Sequence, residues 1–217
     1  MVLTPEKQFK AWVKPLAFIA ALIPVAVMTI GLLMDKLGAN PIEAITRDTG
    51  EWALRFLLLT LAITPLRKLT GQPAWIRLRR MLGLFAFFYA CLHLMTYIWL
   101  DQFFDWAEIW NDILERPFIT VGMLTFLMLI PLAVTSTKSM MRRLKKRWML
   151  LHKLVYFAAP AAVLHFWWMK DSKADISEPL IYTVILVFLL GYRVVVWMQK
   201  QDFSIEEKVL RSPQNSN

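Results

Sequence analysis

The chain has 217 residues, 58% of them hydrophobic, with a mean hydropathy of +0.47 and a formal net charge of +9. A soluble domain rarely exceeds about half apolar, and here the apolar residues fall in long blocks, which excludes an ordinary water-soluble globule and points to a polytopic membrane protein. The positive charge would suit nucleic acid, but the Lys and Arg occupy short segments between apolar blocks, so membrane topology explains them. The single cysteine, Cys91, excludes an internal disulfide and a Cys-ligated iron–sulfur cluster.

In chain order, the basic start MVLTPEKQFKAWVK leads into an apolar stretch of about 20 residues, longer than the core of a signal peptide and closed by no A-x-A site, so it reads as an uncleaved first span. Six spans are predicted, at about 15–34, 52–66, 81–100, 118–136, 148–169 and 180–198. Each approaches the roughly 20 residues that cross about 30 Å of hydrocarbon, and separate segments can do so only as helices. Pro24, Pro131 and Pro160 lie inside spans, where bends are tolerated. The fold class is therefore all-α, a polytopic helix bundle, and no internal repeat is evident.

The connections alternate in charge. Segments 67–80 and 137–147 carry five and six basic residues and no acid, whereas segment 101–117 carries five acids and one Arg. The positive-inside rule places the basic loops in the cytoplasm, and six spans then place both termini there. Residues 1–199 form the transmembrane domain and 200–217 a polar cytoplasmic tail. Arg55 and Arg193 lie near span ends, from which they can snorkel.

The chemistry rests on three histidines. His93 lies in the third span, His152 opens the fifth, and His165 lies near the far end of the fifth. His93 is thirteen residues past Arg80 and His165 eighteen past Arg147, which puts both in the outer half of the membrane. His152, five past Arg147, lies near the inner surface. Two neutral imidazoles at one depth on neighbouring helices can clamp one iron, and a flat apolar macrocycle of the b-haem type fits between helices. With no C-x-x-C-H, such a haem is held non-covalently. Phe85, Phe87, Phe88, Tyr89, Phe166, Trp167 and Trp168 would suit its wall. The competing readings are a helix–helix hydrogen-bonding role for His93 and His165, an interfacial role for His152, and ordinary packing for the aromatics. On a straight helix His152 and His165 point roughly 140° apart. A zinc site is disfavoured by the distance of His152 and the lack of H-E-x-x-H. A proton-coupled carrier is disfavoured because no Asp or Glu falls within the six spans.

The stretches RRMLGLFAFFYACLHLMTYIWL, RPFITVGMLTFLMLIPLAVTSTKSMMRRL and RWMLLHKLVYFAAPAAVLHFWW together resemble the ferric-reductase-like transmembrane family, on the branch formed by membrane subunits of bacterial methionine sulfoxide reductase systems. The resemblance covers nearly the whole chain. It implies an inner-membrane protein with haem b (one, or two). Electrons would arrive from the quinone pool or a cytosolic flavin reductase, with FMN as a further cofactor. They would leave for a periplasmic molybdopterin subunit that reduces methionine sulfoxide in damaged proteins, so the catalytic residues belong to that partner. His93, His152 and His165 match the family's haem-associated, metal-binding histidines. The family generally has two histidine pairs, and the inner partner of His152 should stand where this chain has Arg80, beside Arg79. His152 then ligates a second haem alone or with another ligand, or borders a flavin or quinone site. Arg77, Arg79 and Arg80 would pair with haem propionates or an FMN phosphate, or serve topology alone. The rival class is a non-redox membrane carrier or assembly factor.

Overall fold

The structure is a computed structural model that describes residues 9–171 and 176–211. Among the described residues, a π-helical turn at Phe9–Val13 is followed by nine α-helices: α1 (Lys14–Leu33), α2 (Pro41–Thr70), α3 (Ile76–Met95), α4 (Trp106–Glu115), α5 (Pro117–Val134), α6 (Lys138–Leu144), α7 (Lys146–Leu151), α8 (Val155–Asp171) and α9 (Ser177–Arg211). No strand occurs among the described residues. The helix ends follow from local chemistry. Asn40 caps α2 by accepting from the Glu43 N–H, with Pro41 at the first helical position, and Gly71 ends the helix at φ +65°. Asp105 caps α4 by accepting from the Ala107 and Glu108 N–H groups.

The bundle is apolar on its outside. Phe18, Ile19, Ile23 and Val27 on α1, and Val184, Val187 and Phe188 on α9, are exposed. In water this would be costly; in a bilayer the same surface faces lipid tails. Among the described residues, five segments are long and apolar enough to cross: Ala11–Leu33, Pro73–Asp101, Pro117–Val134, Lys146–Lys170 and Ser177–Gln199. The expected second span is not among them. It belongs to α2, whose 30 residues have ample length but whose first half carries Arg47, Asp48, Glu51 and Arg55. Its apolar residues point inward instead: Leu54, Phe56, Leu57, Leu58, Leu61 and Ile63 are all buried.

Two antiparallel helix pairs form the centre. In the first, Gly50 of α2 lies against His93 of α3 and Thr60 against Gly83. In the second, Gly122 of α5 lies against His165 of α8, and the Trp148 indole donates to the Thr135 carbonyl. A stacked Phe87–Phe126 contact joins the pairs. The flanking helix α1 is held by Tyr89, whose hydroxyl accepts from the Val25 N–H and donates to the Ala21 carbonyl at the Pro24 bend. Helix α9 is held by the Trp167 indole donating to Thr183 and by two arginines.

Those arginines do not snorkel. Arg55 donates to the Tyr182 hydroxyl at 2.9 Å and pairs with Glu51 at 2.6 Å, with Trp52 under its guanidinium. Arg193 donates to the carbonyls of Leu189 and Leu61. Each finds a partner within the bundle, so neither needs to reach for the interface. Helix α9 runs on to Arg211, so residues 200–211, expected in the tail, are helical. The expected tail residues 212–217 and the N-terminal residues 1–8 lie outside the described residues.

Candidate cofactor site

His93 stands near the end of α3, facing the second turn of α2. Its Nδ1 lies 2.8 Å from the Thr46 carbonyl oxygen. A carbonyl only accepts, so Nδ1 carries the proton and Nε2 keeps its lone pair. The approach needs Gly50, one helical turn past Thr46: a Cβ there would lie 3.0 Å from Nδ1 and Cε1 of the imidazole. His165 on α8 repeats the arrangement. Its Nδ1 lies 2.6 Å from the Phe118 carbonyl, and a Cβ on Gly122 would come within 2.8 Å of the same two ring atoms.

The two rings face one another across the bundle. Their centres are 6.1 Å apart and their planes 74° apart. Two imidazoles on opposite sides of one first-row metal ion, at about 2 Å per metal–nitrogen bond, have ring centres about 6 Å apart. The spacing and the tautomer both fit axial ligation. An Nδ1–H held by a backbone carbonyl is also the usual way a metal-bound imidazole is oriented and made more basic. Among the described residues, no cluster of three or more His, Cys, Asp or Glu gathers at one point, so the pair has no protein-supplied third ligand of those types.

His152 stands apart in a 3-10 turn, His152–Leu154, between α7 and α8. Its Nδ1 lies 3.1 Å from the carbonyl of Trp148 on the preceding turn, and the Trp148 ring stacks on it with centres 3.9 Å apart. Arg79 is within electrostatic reach of His152, while Arg77 and Arg80 are exposed. Residues 77 and 80 share one side of α3 and residue 79 points elsewhere, so the three arginines do not converge on a single anion. Several of the aromatic residues expected as a wall also contact other rings within the bundle. Phe85 and Tyr89 belong to a cluster with Phe56, Phe166 packs on Tyr182, and Phe88 and Trp168 are exposed. The aromatic ring beside His165 is Phe118, 6.2 Å away.

Sequence reasoning missed the glycines and the carbonyls, and with them a repeat. Thr46 and Phe118, Gly50 and Gly122, and His93 and His165 are each separated by 72 positions. In the same register Leu82, Phe85, Ala86, Ala90 and Leu92 recur as Leu154, Phe157, Ala158, Ala162 and Leu164, and His152 corresponds to Arg80. The signal was present but diluted by many unrelated apolar residues. A glycine 43 positions before His93 and before His165 is its sharpest mark.

A polar region lies at the His93 end of the bundle. Asn40, Glu43, Ala44, Arg47, Asp48 and Glu51 line a cavity of about 390 Å³ beside the turn that holds Thr46. Farther along the same end, Asp112 is 3% exposed and accepts from Tyr97, Gln102 and Arg116 at 2.7, 3.0 and 2.9 Å. Of the five acids in the 101–117 connection, Asp105 is thus a helix cap and Asp112 a buried clamp, which leaves Asp101, Glu108 and Glu115 exposed and uncommitted to either role.

Fold and site together define a multi-pass membrane helix bundle with a paired-imidazole centre. The family described as ferric reductase like transmembrane component matches residues 49–163, from just before Gly50 to two residues short of His165. The chain is 53% identical over 202 residues to the protein-methionine-sulfoxide reductase heme-binding subunit MsrQ of Herminiimonas arsenicoxydans, covering 93% of each chain. It is 58% identical over 179 residues to the MsrQ of Rhodospirillum rubrum, covering 82% of this chain and 85% of the relative. It is 51% identical over 189 residues to that of Bordetella pertussis, covering 87% and 92%. The chain belongs to the ferric-reductase-like transmembrane family, and within it to the MsrQ group.

Proposed function

We propose that the chain is the b-haem electron-transfer subunit of a methionine sulfoxide reductase system, with the haem iron held between Nε2 of His93 and Nε2 of His165. The observation that carries this reading is the ring pair: centres 6.1 Å apart, each Nδ1 committed to a backbone carbonyl. The name "heme-binding subunit" borne by the relatives supports it. A haem held by His93 and His165 would supply one-electron chemistry.

This chain's residues then have distinct tasks. His93 and His165 supply neutral nitrogen ligands from α3 and α8. Thr46 and Phe118 fix the ring tautomers through their carbonyls. The apolar helices keep water from the relay. Six spans, with α2 crossing under cover of its neighbours, place both termini in the cytoplasm and the protein in the bacterial inner membrane. The His93 end then faces the periplasm. There the partner, a molybdopterin subunit of the MsrP kind, takes the electrons and reduces methionine sulfoxide in oxidised proteins. The exposed acids Asp101, Glu108 and Glu115 form part of its docking face. At the opposite end, His152 and Arg79 mark the entry side, fed by the quinone pool or by a cytosolic flavin reductase, the latter with FMN.

The visible spectrum of the purified protein tests the reading. A Soret band, and an α-band on dithionite reduction that decays when the molybdopterin partner and methionine sulfoxide are added, are expected. Absence of both bands would leave a non-redox carrier or assembly factor.

A further inference from the structure

We propose that Gly50 and Gly122 are positioning residues that set the rotation of the His93 and His165 rings, and thereby the crossed arrangement of the two axial ligands. This rests on the haem ligation proposed above. Three observations support it. A Cβ built on Gly50 lies 3.0 Å from Nδ1 and Cε1 of His93, and one on Gly122 lies 2.8 Å from the same atoms of His165. The 2.8 Å separation is one that real Cβ atoms essentially never show, and 3.0 Å is tighter than nearly all real ones, so His165 has to move and His93 has to give by a few tenths of an ångström. Each glycine lies four residues after the residue whose carbonyl accepts the imidazole proton, Thr46 at 2.8 Å and Phe118 at 2.6 Å. In a helix, the side chain four residues on flanks the carbonyl from which the histidine takes its bond. Its absence opens that carbonyl to the ring edge. Finally, the device occurs twice, at the same 43-residue spacing from glycine to histidine, in two helix pairs that share no segment.

Between the carbonyl and the glycine, each ring has one rotation available to it. The planes stand 74° apart as a result. Crossed imidazoles bring the iron d-orbitals close to degeneracy and give ferric low-spin haem a strongly anisotropic electron paramagnetic resonance signal. Parallel imidazoles give a rhombic one. A Cβ at either glycine forces its ring to turn or to leave the carbonyl, which changes the crossing angle and the basicity of the ligand together.

The test compares Gly50→Ala, Gly122→Ala and Gly83→Ala in the purified full chain. Gly83 lies on the same helix as His93, but its Cβ would meet nothing closer than 3.7 Å. Haem per chain, the low-temperature resonance spectrum and the midpoint potential are read for each. The wild type and Gly83→Ala should share one strongly anisotropic signal. Gly50→Ala and Gly122→Ala should each shift that signal and the potential, or lose haem where Gly83→Ala keeps it. Either site alone suffices if the other variant does not fold. Full haem with wild-type signal and potential in the folded Gly50→Ala and Gly122→Ala proteins would overturn the proposal. So would equal haem loss in all three. A wild-type protein without haem would instead sink the ligation reading on which this rests.

Discussion

Arg193 of α9 donates to the carbonyl of Leu61 on α2 at 2.5 Å. That carbonyl has lost its helical donor, because the residue four positions on is Pro65, which has no N–H. The charge and the vacancy solve each other: a guanidinium inside an apolar bundle gains an acceptor, and an acceptor that lipid cannot satisfy gains a donor. Tyr156, with its ring 5.5 Å from the guanidinium, adds a second contact.

Arg193→Ala should therefore destabilise the bundle by about 1–3 kcal/mol, the cost of a buried acceptor left unpaired. Pro65→Ala should reduce that cost, because an alanine N–H can bond the Leu61 carbonyl within α2. Thermal unfolding of the two single variants and the double variant in one detergent gives the coupling. Additive effects would contradict this account of the pair.

Asp112 is clamped by Tyr97, Gln102 and Arg116, and Arg116 immediately precedes α5, whose first turn supplies the Phe118 carbonyl to His165. Asp112→Ala strands the Tyr97 hydroxyl and the Gln102 amide and should cost about 1–3 kcal/mol, while Arg116, whose side chain is 53% exposed, can turn to solvent. Because the strain falls on the α4–α5 corner, haem lost on gentle heating should leave this variant several-fold faster than wild type. Glu108→Gln, on the exposed face of the same helix, should leave haem retention unchanged and slow electron delivery to the partner. Stopped-flow reoxidation and haem-release rates separate the two roles.

His152 has its Nδ1 on the Trp148 carbonyl of the preceding α7 and the Trp148 ring stacked over its own. His152→Ala should leave the low-spin signal of the His93–His165 centre in place. Haem per chain in that variant decides the second site. A fall to half of the wild-type value assigns an iron to His152, and an unchanged value with slower reduction by quinol or flavin reductase assigns it to the donor side.

Much of this was legible in the sequence. Apolar blocks of about 20 residues announced the spans, and counting from the basic loops put His93 and His165 together in the outer half of the membrane, where the fold brings their rings together. The second helix was only half legible, since its polar first half, Arg47 to Arg55, hides a helix most of whose apolar residues turn inward, Leu54, Phe56, Leu57, Leu58, Leu61 and Ile63 among them. The arginines were misjudged for a related reason: nothing in a linear reading says that Pro65 leaves an acceptor for Arg193. The aromatic residues were no guide to a site, because Phe, Tyr and Trp pack equally well against helices. The glycines were overlooked because their role is an absence, a missing Cβ beside a ring on another helix, and their shared spacing to His93 and His165 was diluted among unrelated apolar residues.

The central claim is that one haem iron sits between His93 and His165. Haem content and the reduced-minus-oxidised spectrum of His93→Ala and His165→Ala, measured on purified folded protein, test it most directly. Each variant should lose the strongly anisotropic low-spin signal and the matching share of the α-band, and the two should lose the same share. Retention of the wild-type spectrum in both would contradict the account.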